Sequence, residues 1–296
     1  MAKKSAKVRT TFNILNIKLR QPDAKESTAT QYADLFIKTG NQRKKIKIAP
    51  DLGAILWRCI RERVNGREII FGYITRYTII QNGRWLDLED PNAEETDVEI
   101  PAGMAANSKQ TPFFFVPANH RLALKKGVGT LTPKQAALFF ERAFGQAIDK
   151  EQHIDIDIAP SEQQYQRIVE SKSLSRLDIK LTYANNDMSG DFAALIQQQL
   201  IDTNSGSWHI IATAEKGELL DVSKSSVLTG ALDLARNNGE VEATEQGPSG
   251  RKRKIEPTSA PLKETIVSAQ PSELLSDVSN RLLEMYPRPA NSPQDE

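Results

Sequence analysis

The stretch AILWRCIRERV-NG-REIIFGYITRYTII, residues 54–80, decides how the first half of the chain is read. Two runs rich in Ile, Val, Tyr and Phe flank Asn65-Gly66. That pair suits a two-residue turn in which both central residues need positive φ, so a β-hairpin is expected. Upstream, KKIKIAP alternates basic with apolar residues, the pattern of a half-exposed strand. Residues 11–20 (TFNILNIKLR) set Phe12, Ile14 and Asn16 against Asn13, Leu15, Ile17 and Leu19, a strand buried on much of both faces. Between them, 21–27 is a polar break, 30–39 fits helix or strand, and Gly40-Asn41 is a turn signal. Downstream, Asn82-Gly83 marks another turn before RWLDLED. Together these make a β-meander of about five strands. Residues 90–110 read as an acidic loop. TPFFFVPANHRLALKK is a strand pair bent at Pro-Ala-Asn. Thr132-Pro133 then opens a helix, with Ala136, Phe139, Phe140, Ala143 and Phe144 on one face.

From residue 152 the rhythm changes. HIDIDIAPS alternates strictly, SEQQYQRIVES opens with a Ser-x-x-Gln capping pattern, and LSRLDIKLTYA is a strand. A helix (SGDFAALIQQQLID), a strand (SWHIIATAEKGELLD), a helix closed by Asn-Gly (SKSSVLTGALDLARNNG) and a short strand (EVEATEQ) follow. This βαβαβαβ order, with helices of ~12 residues between strands, predicts some parallel pairing. Past Gly247, GPSGRKRKIEPTSAPLKE reads as an exposed arm. PSELLSDVSNRLLEMYP reads as an amphipathic helix, and the tail PRPANSPQDE as disordered. The expected fold is therefore α+β. A basic, mostly antiparallel β domain with one helix (1–150) precedes an acidic α/β domain (151–246). An arm, a C-terminal helix and a tail complete the chain (247–296).

The 296 residues carry 39 Lys+Arg and 38 Asp+Glu. That balance hides segregation: residues 1–84 sum to +12 and residues 151–246 to −9. Such asymmetry predicts either a polyanion partner or mutual attraction of the two halves, within a chain or across a dimer. No apolar run approaches the ~20 residues of a membrane span. MAKKSAKVRT has no apolar segment behind its basic residues, so a cytoplasmic protein without membrane contact is expected. A single cysteine, Cys59, makes neither an internal disulfide nor a Cys-rich zinc site.

Catalysis finds little support. Phosphate-loop and nucleophile-elbow motifs are missing, and His120, His153 and His209 lack metal-ligand spacing. Asp155 and Asp157 share a strand face, and Asp178 with Lys180 on the next strand adds the residue types of a metal-dependent nuclease. The simpler and preferred reading makes the same aspartates the solvated face of a half-buried strand, paired with Lys180 or Arg167. Neither a metal site nor a cofactor is expected. Binding is better supported. Flexible basic arms (Lys3, Lys4, Lys7, Arg9; Arg251, Lys252, Arg253, Lys254) suit phosphate backbones. So do the cluster Arg43, Lys44, Lys45 and the hairpin arginines Arg58, Arg61, Arg63 and Arg67. No helix presents a row of residues suited to base edges, so sequence-nonspecific phosphate contact is expected, with DNA favoured over RNA. Trp57, Phe71, Tyr73 and Tyr77, interleaved with the arginines, suit either a core or base stacking.

Several segments carry a resemblance. They are the basic β-rich half with Phe113-Phe-Phe-Val116, the strand HIDIDIAPS, Leu174-x-x-Leu177-Asp-Ile179 and Asn238-Gly239-Glu-Val241. Over residues 10–260 they resemble a bacterial accessory-genome family found among prophage and phage-defence genes. In segment order the chain is similar, more loosely, to the lambda exclusion protein RexA. The resemblance implies a cytoplasmic DNA-binding phage-defence or exclusion protein acting as a homodimer. It carries over no catalytic residue. The helix at 272–286 departs from the family pattern and suggests an oligomerisation or partner element. The rival readings are a protein-interaction subunit of a defence complex and the metal-dependent nuclease.

Overall fold

A computed structural model describes residues 7–21, 27–80, 83–85, 89, 95–183, 191–247 and 249–287. Within them lie β1 (Val8–Arg20), α1 (Ala29–Gln42), β2 (Ile46–Ala49), β3 (Leu52–Val64), β4 (Arg67–Thr78), β5 (Gly83–Trp85), β6 (Thr96–Val98), β7 (Ala106–Val116) and β8 (Arg121–Lys125). Then follow α2 (Pro133–Gly145), β9 (His153–Ile158), α3 (Glu162–Glu170), β10 (Leu174–Thr182), α4 (Asp191–Asp202), β11 (Ser207–Thr213), α5 (Ser226–Asn237), β12 (Gly239–Gln246), β13 (Lys252–Ile255), β14 (Lys263–Ser268) and α6 (Leu274–Met285). Mixed α and β structure, a curled antiparallel sheet and a C-terminal helix make this an α+β protein. Among the described residues no helix is long and apolar enough to cross a membrane. The polar break at 22–26, the Lys3–Lys4 arm, Asn82 of the second turn and the tail from 288 lie outside the described residues.

The larger sheet runs β14-β1-β8-β7-β4-β3-β2, with β9 also pairing β1. β1 is long enough for two partners on one edge: β14 along 8–13 and β9 along 15–20. Its two-sided apolar pattern feeds two cores. Leu15, Ile17 and Leu19 pack with α1 and α2, while Phe12 and Ile14 pack with Val278 and Leu282 of α6. The helix at 272–286, read as an oligomerisation or partner element, is α6; one face of it covers its own sheet, and Asn119 Nδ2 donates to the carbonyls of Leu282 and Tyr286.

Local chemistry explains most boundaries. Asn65 (φ 51°) and Gly66 (φ 75°) form the expected tight turn, with Val64 opposite Arg67. Thr132 and Gln135 close a capping box on α2; Thr28 and Gln31 do the same for α1, which makes 30–39 a helix. α1 runs through Gly40-Asn41, and the left-handed residue that ends it is Arg43 (φ 47°). Gly40 serves close packing: a Cβ there would stand 2.8 Å from Cys59 Cβ. At α3, Ser161 is the N-cap residue but its side chain makes no capping hydrogen bond.

The smaller sheet, β11-β10-β12-β13, is antiparallel throughout. This corrects the expectation of parallel strands. A helix between strands permits a parallel crossover without requiring one. Here β11, following α4, returns beside β10 in the opposite direction. Leu177, Ile179 and Leu181 face a core completed by Ile168 of α3, Ile196 and Leu200 of α4, and Leu232 and Ala235 of α5. Two further expectations change. β9, read as the opening of the acidic unit, joins β1, because Ile154 and Ile156 pack on the core built around α2. The segment 251–254, read as a free arm, runs into β13, whose residues 252–255 pair with 243–246 of β12 along its open edge.

Candidate nucleic-acid interface

α1 delivers Arg43 at its left-handed end, and Lys44 and Lys45 lead into β2. There Lys47 stands exposed between buried Ile46 and Ile48. Across from this segment β3 has a bulge: Leu56 pairs with Ile74 and Arg58 with Tyr73, so Trp57 has no opposite residue. The bulge re-aims the side chain. Trp57 is 49% exposed, and the Arg43 guanidinium lies 5.3 Å from its ring centroid.

The same bulge shifts every later residue of β3 to the other face. Cys59, Arg61 and Arg63 fall on the α1 side, while Arg58 shares the opposite face with Tyr73. The hairpin arginines therefore do not form one row. Arg61 is spent within the fold, 2.7 Å from Glu68 and 3.1 Å from Asp34. Lys44 Nζ donates to the Gln146 carbonyl at 3.0 Å. Arg142 caps the carbonyl of Lys47. Arg43, Lys45, Lys47, Arg58, Arg63 and Arg67 are exposed and make no ion pair among the described residues. Of the interleaved aromatics, Phe71 packs on Phe114 and Tyr73, and Tyr77 lies over Gly53.

The second basic cluster sits elsewhere, on the edge of the smaller sheet. Arg251, Lys252 and Arg253 are exposed, but Lys254 is 2.7 Å from both Glu242 and Glu256. Hydrogen bonds to those carboxylates push its pKa up to about 12. The nearby cleft of about 540 Å³ runs between α2 and the strands β9, β10, β11 and β12. Glu141, Asp178, Glu240, Glu242 and Glu256 outnumber Lys134 and Lys180 in its wall, which disfavours a phosphate ligand.

The candidate nuclease carboxylates are not brought together. Asp157 Oδ2 lies 2.5 Å from Lys18 Nζ, and Asp155 lies 3.7 Å from Arg20. Their partners are thus residues of β1, not Lys180 or Arg167; Arg167 pairs with Glu245. Asp178, in the other sheet, is held by Arg176 at 3.3 Å and by His209 Nδ1 at 3.6 Å. Burial raises the pKa of Asp157, and Lys18 opposes that rise. His120 stacks on Tyr32 at 4.5 Å between centroids. Burial pushes the Cys59 thiol up to about 12, so it is not a nucleophile at neutral pH. Among the described residues no three His, Cys, Asp or Glu side chains are arranged to hold a metal.

Two features escaped the sequence reading. The exposure of Trp57 was signalled by a slip in alternation, since Leu56 and Cys59 share a face three residues apart. The burial of Lys18 was signalled by Lys18 and Arg20 having the same spacing as Asp155 and Asp157.

The molecule is thus an α+β protein with two main sheets and a small β5-β6 pair, whose cations gather at the β2–β3 end and whose carboxylates line the cleft. Residues 8–284 match the family described as a domain of unknown function (DUF4747), and the chain belongs to that family. No curated protein matches it.

Proposed function

We propose that this protein binds nucleic acid without sequence specificity, gripping the phosphate backbone at the β2–β3 end of the larger sheet. The observation that carries the reading is the group of exposed cations Arg43, Lys45, Lys47 and Arg58 at the β2–β3 end, with Arg43 over an exposed Trp57. Unlike Arg61, they have no carboxylate partner among the described residues, so their charge is available to a polyanion. The resemblance to prophage and phage-defence genes supports placing this binding in a cytoplasmic phage-exclusion system, acting as a homodimer on DNA.

Titration of a labelled duplex across a salt series tests the reading. Removing one cation that neutralises a phosphate should reduce the slope of log K against log salt by ~0.9 on duplex DNA. The triple variant Lys45→Glu/Lys47→Glu/Arg58→Glu should therefore flatten the slope by roughly 3 and weaken binding at least about tenfold at low salt. Arg61→Ala should change the slope little. Equal slopes for wild type and the triple variant would remove this patch from the interface. No binding by wild type at low salt would reassign the patch to an acidic protein partner.

A further inference from the structure

We infer that Trp57 is a stacking platform for an unpaired base, so that the polymer held at the β2–β3 end is single-stranded nucleic acid. This rests on the nucleic-acid reading above and goes further in naming the substrate class.

Two sparsely populated backbone features meet at this one point. Trp57 occupies the bulge of β3, which forgoes regular ladder pairing. Arg43 adopts a left-handed conformation (φ 47°) that disfavours a residue with a Cβ. Each also serves the fold, since the bulge turns Cys59 inward against Gly40 and Arg43 ends α1. Their joint effect is to hold a large aromatic ring half out of the surface with a guanidinium above it. A cation over one face of an indole leaves the other face to stack, and the pair offers both charge and a π surface.

The neighbouring charges fit a strand crossing that ring. Lys45 and Lys47 alternate with Ile46 and Ile48, which point into the core beside α1 and α2. Lys47 therefore stands on the opposite face of the sheet, the face that Arg58 shares with Tyr73, and exposed Lys45 leads into the strand just before it. Bases of a duplex are stacked and paired, and a ring on a sheet edge cannot reach their faces. Unpaired bases offer theirs, and a cationic groove with an aromatic platform is the usual arrangement for holding them.

The test compares the full-length protein and its Trp57→Ala and Trp57→Phe variants on labelled oligo-dT and on a duplex of equal length. Trp57 is exposed, so both variants should fold; circular dichroism checks this. Trp57→Ala should weaken oligo-dT binding by between about 5- and 150-fold, the equivalent of ~1–3 kcal/mol per stacked base. Its salt slope should match wild type, because stacking releases no counterions. Trp57→Phe should retain most of the affinity, and duplex binding should stay unchanged. Unaltered oligo-dT affinity in Trp57→Ala, or equal losses on both polymers, would overturn the stacking role while leaving the backbone-binding reading intact. Wild type binding neither polymer at low salt would overturn both.

Discussion

Lys18→Ala is expected to lose about 3–5 kcal/mol of stability, the usual cost of removing one partner from a buried ion pair. Lys18 is only 1% exposed, and its ammonium spends one proton on β9 of its own sheet and two across the junction with the smaller sheet. It meets Asp157 Oδ2 at 2.5 Å, donates to Thr182 Oγ1 at 2.6 Å and donates to the Tyr183 carbonyl at 3.1 Å. Truncation leaves Asp157 buried beside Asp155 and Glu240, whose charges add to the upward pressure on its pKa. The sign of the pH dependence follows. Burial already raises the pKa of Asp157 in the folded state, and loss of Lys18 raises it further. A carboxyl whose folded-state pKa exceeds its unfolded value of ~4 takes up a proton in the native state first, so acid stabilises the variant relative to wild type. The deficit should be largest near neutral pH and shrink as pH falls through the raised pKa. Urea midpoints at several pH values measure this. Lys18→Met/Asp157→Leu, which removes both charges, should recover much of the loss. A deficit independent of pH, with no recovery in the double variant, would show that poorer packing and not a stranded carboxylate is responsible.

That ion pair also marks the limit of what the sequence disclosed. Alternation identified β1, β2 and β9, because a half-buried strand repeats every two residues, and the Asn65-Gly66 turn between β-rich runs identified β3 and β4. Caps identified α2, since Thr132, Pro133 and Gln135 act within one turn. Partner choice is not local. Nothing within HIDIDIAPS says that Asp155 and Asp157 meet Arg20 and Lys18, which lie more than 130 residues earlier; only the matched spacing hints at it. Strand direction in the smaller sheet was misjudged for the same reason, and the different faces of the hairpin arginines depend on a bulge. One inserted residue at Trp57 turns Arg61 and Arg63 toward α1 and Arg58 away from it. Composition located the basic half, but deciding which cations remain available needed Glu68 and Asp34 placed beside Arg61.

Phe36→Ala should cost about 3–5 kcal/mol, from forfeited transfer energy plus the cavity left among rings that cannot collapse into it. Phe36 is fully buried and touches four other aromatics. Its ring stacks on Phe115 at 4.5 Å, meets Phe144 edge-on at 4.9 Å, and lies 5.7 Å from both Phe113 and Phe140. These rings come from the sheet and from α2, so Phe36 fastens α1 to both. Phe36→Leu keeps most of the volume and should lose less. The consequence reaches the proposed interface, because α1 ends at Arg43 and sets where the guanidinium lies over Trp57. Loosening the helix should therefore weaken oligo-dT binding in a folded Phe36→Leu protein while leaving the salt slope near the wild-type value, since every phosphate-binding cation is still present. A Phe36→Leu protein that is measurably destabilised yet binds oligo-dT as wild type does would mean that Arg43 is positioned by β2 and the bulge alone. The docking of α1 would then serve stability without serving the interface.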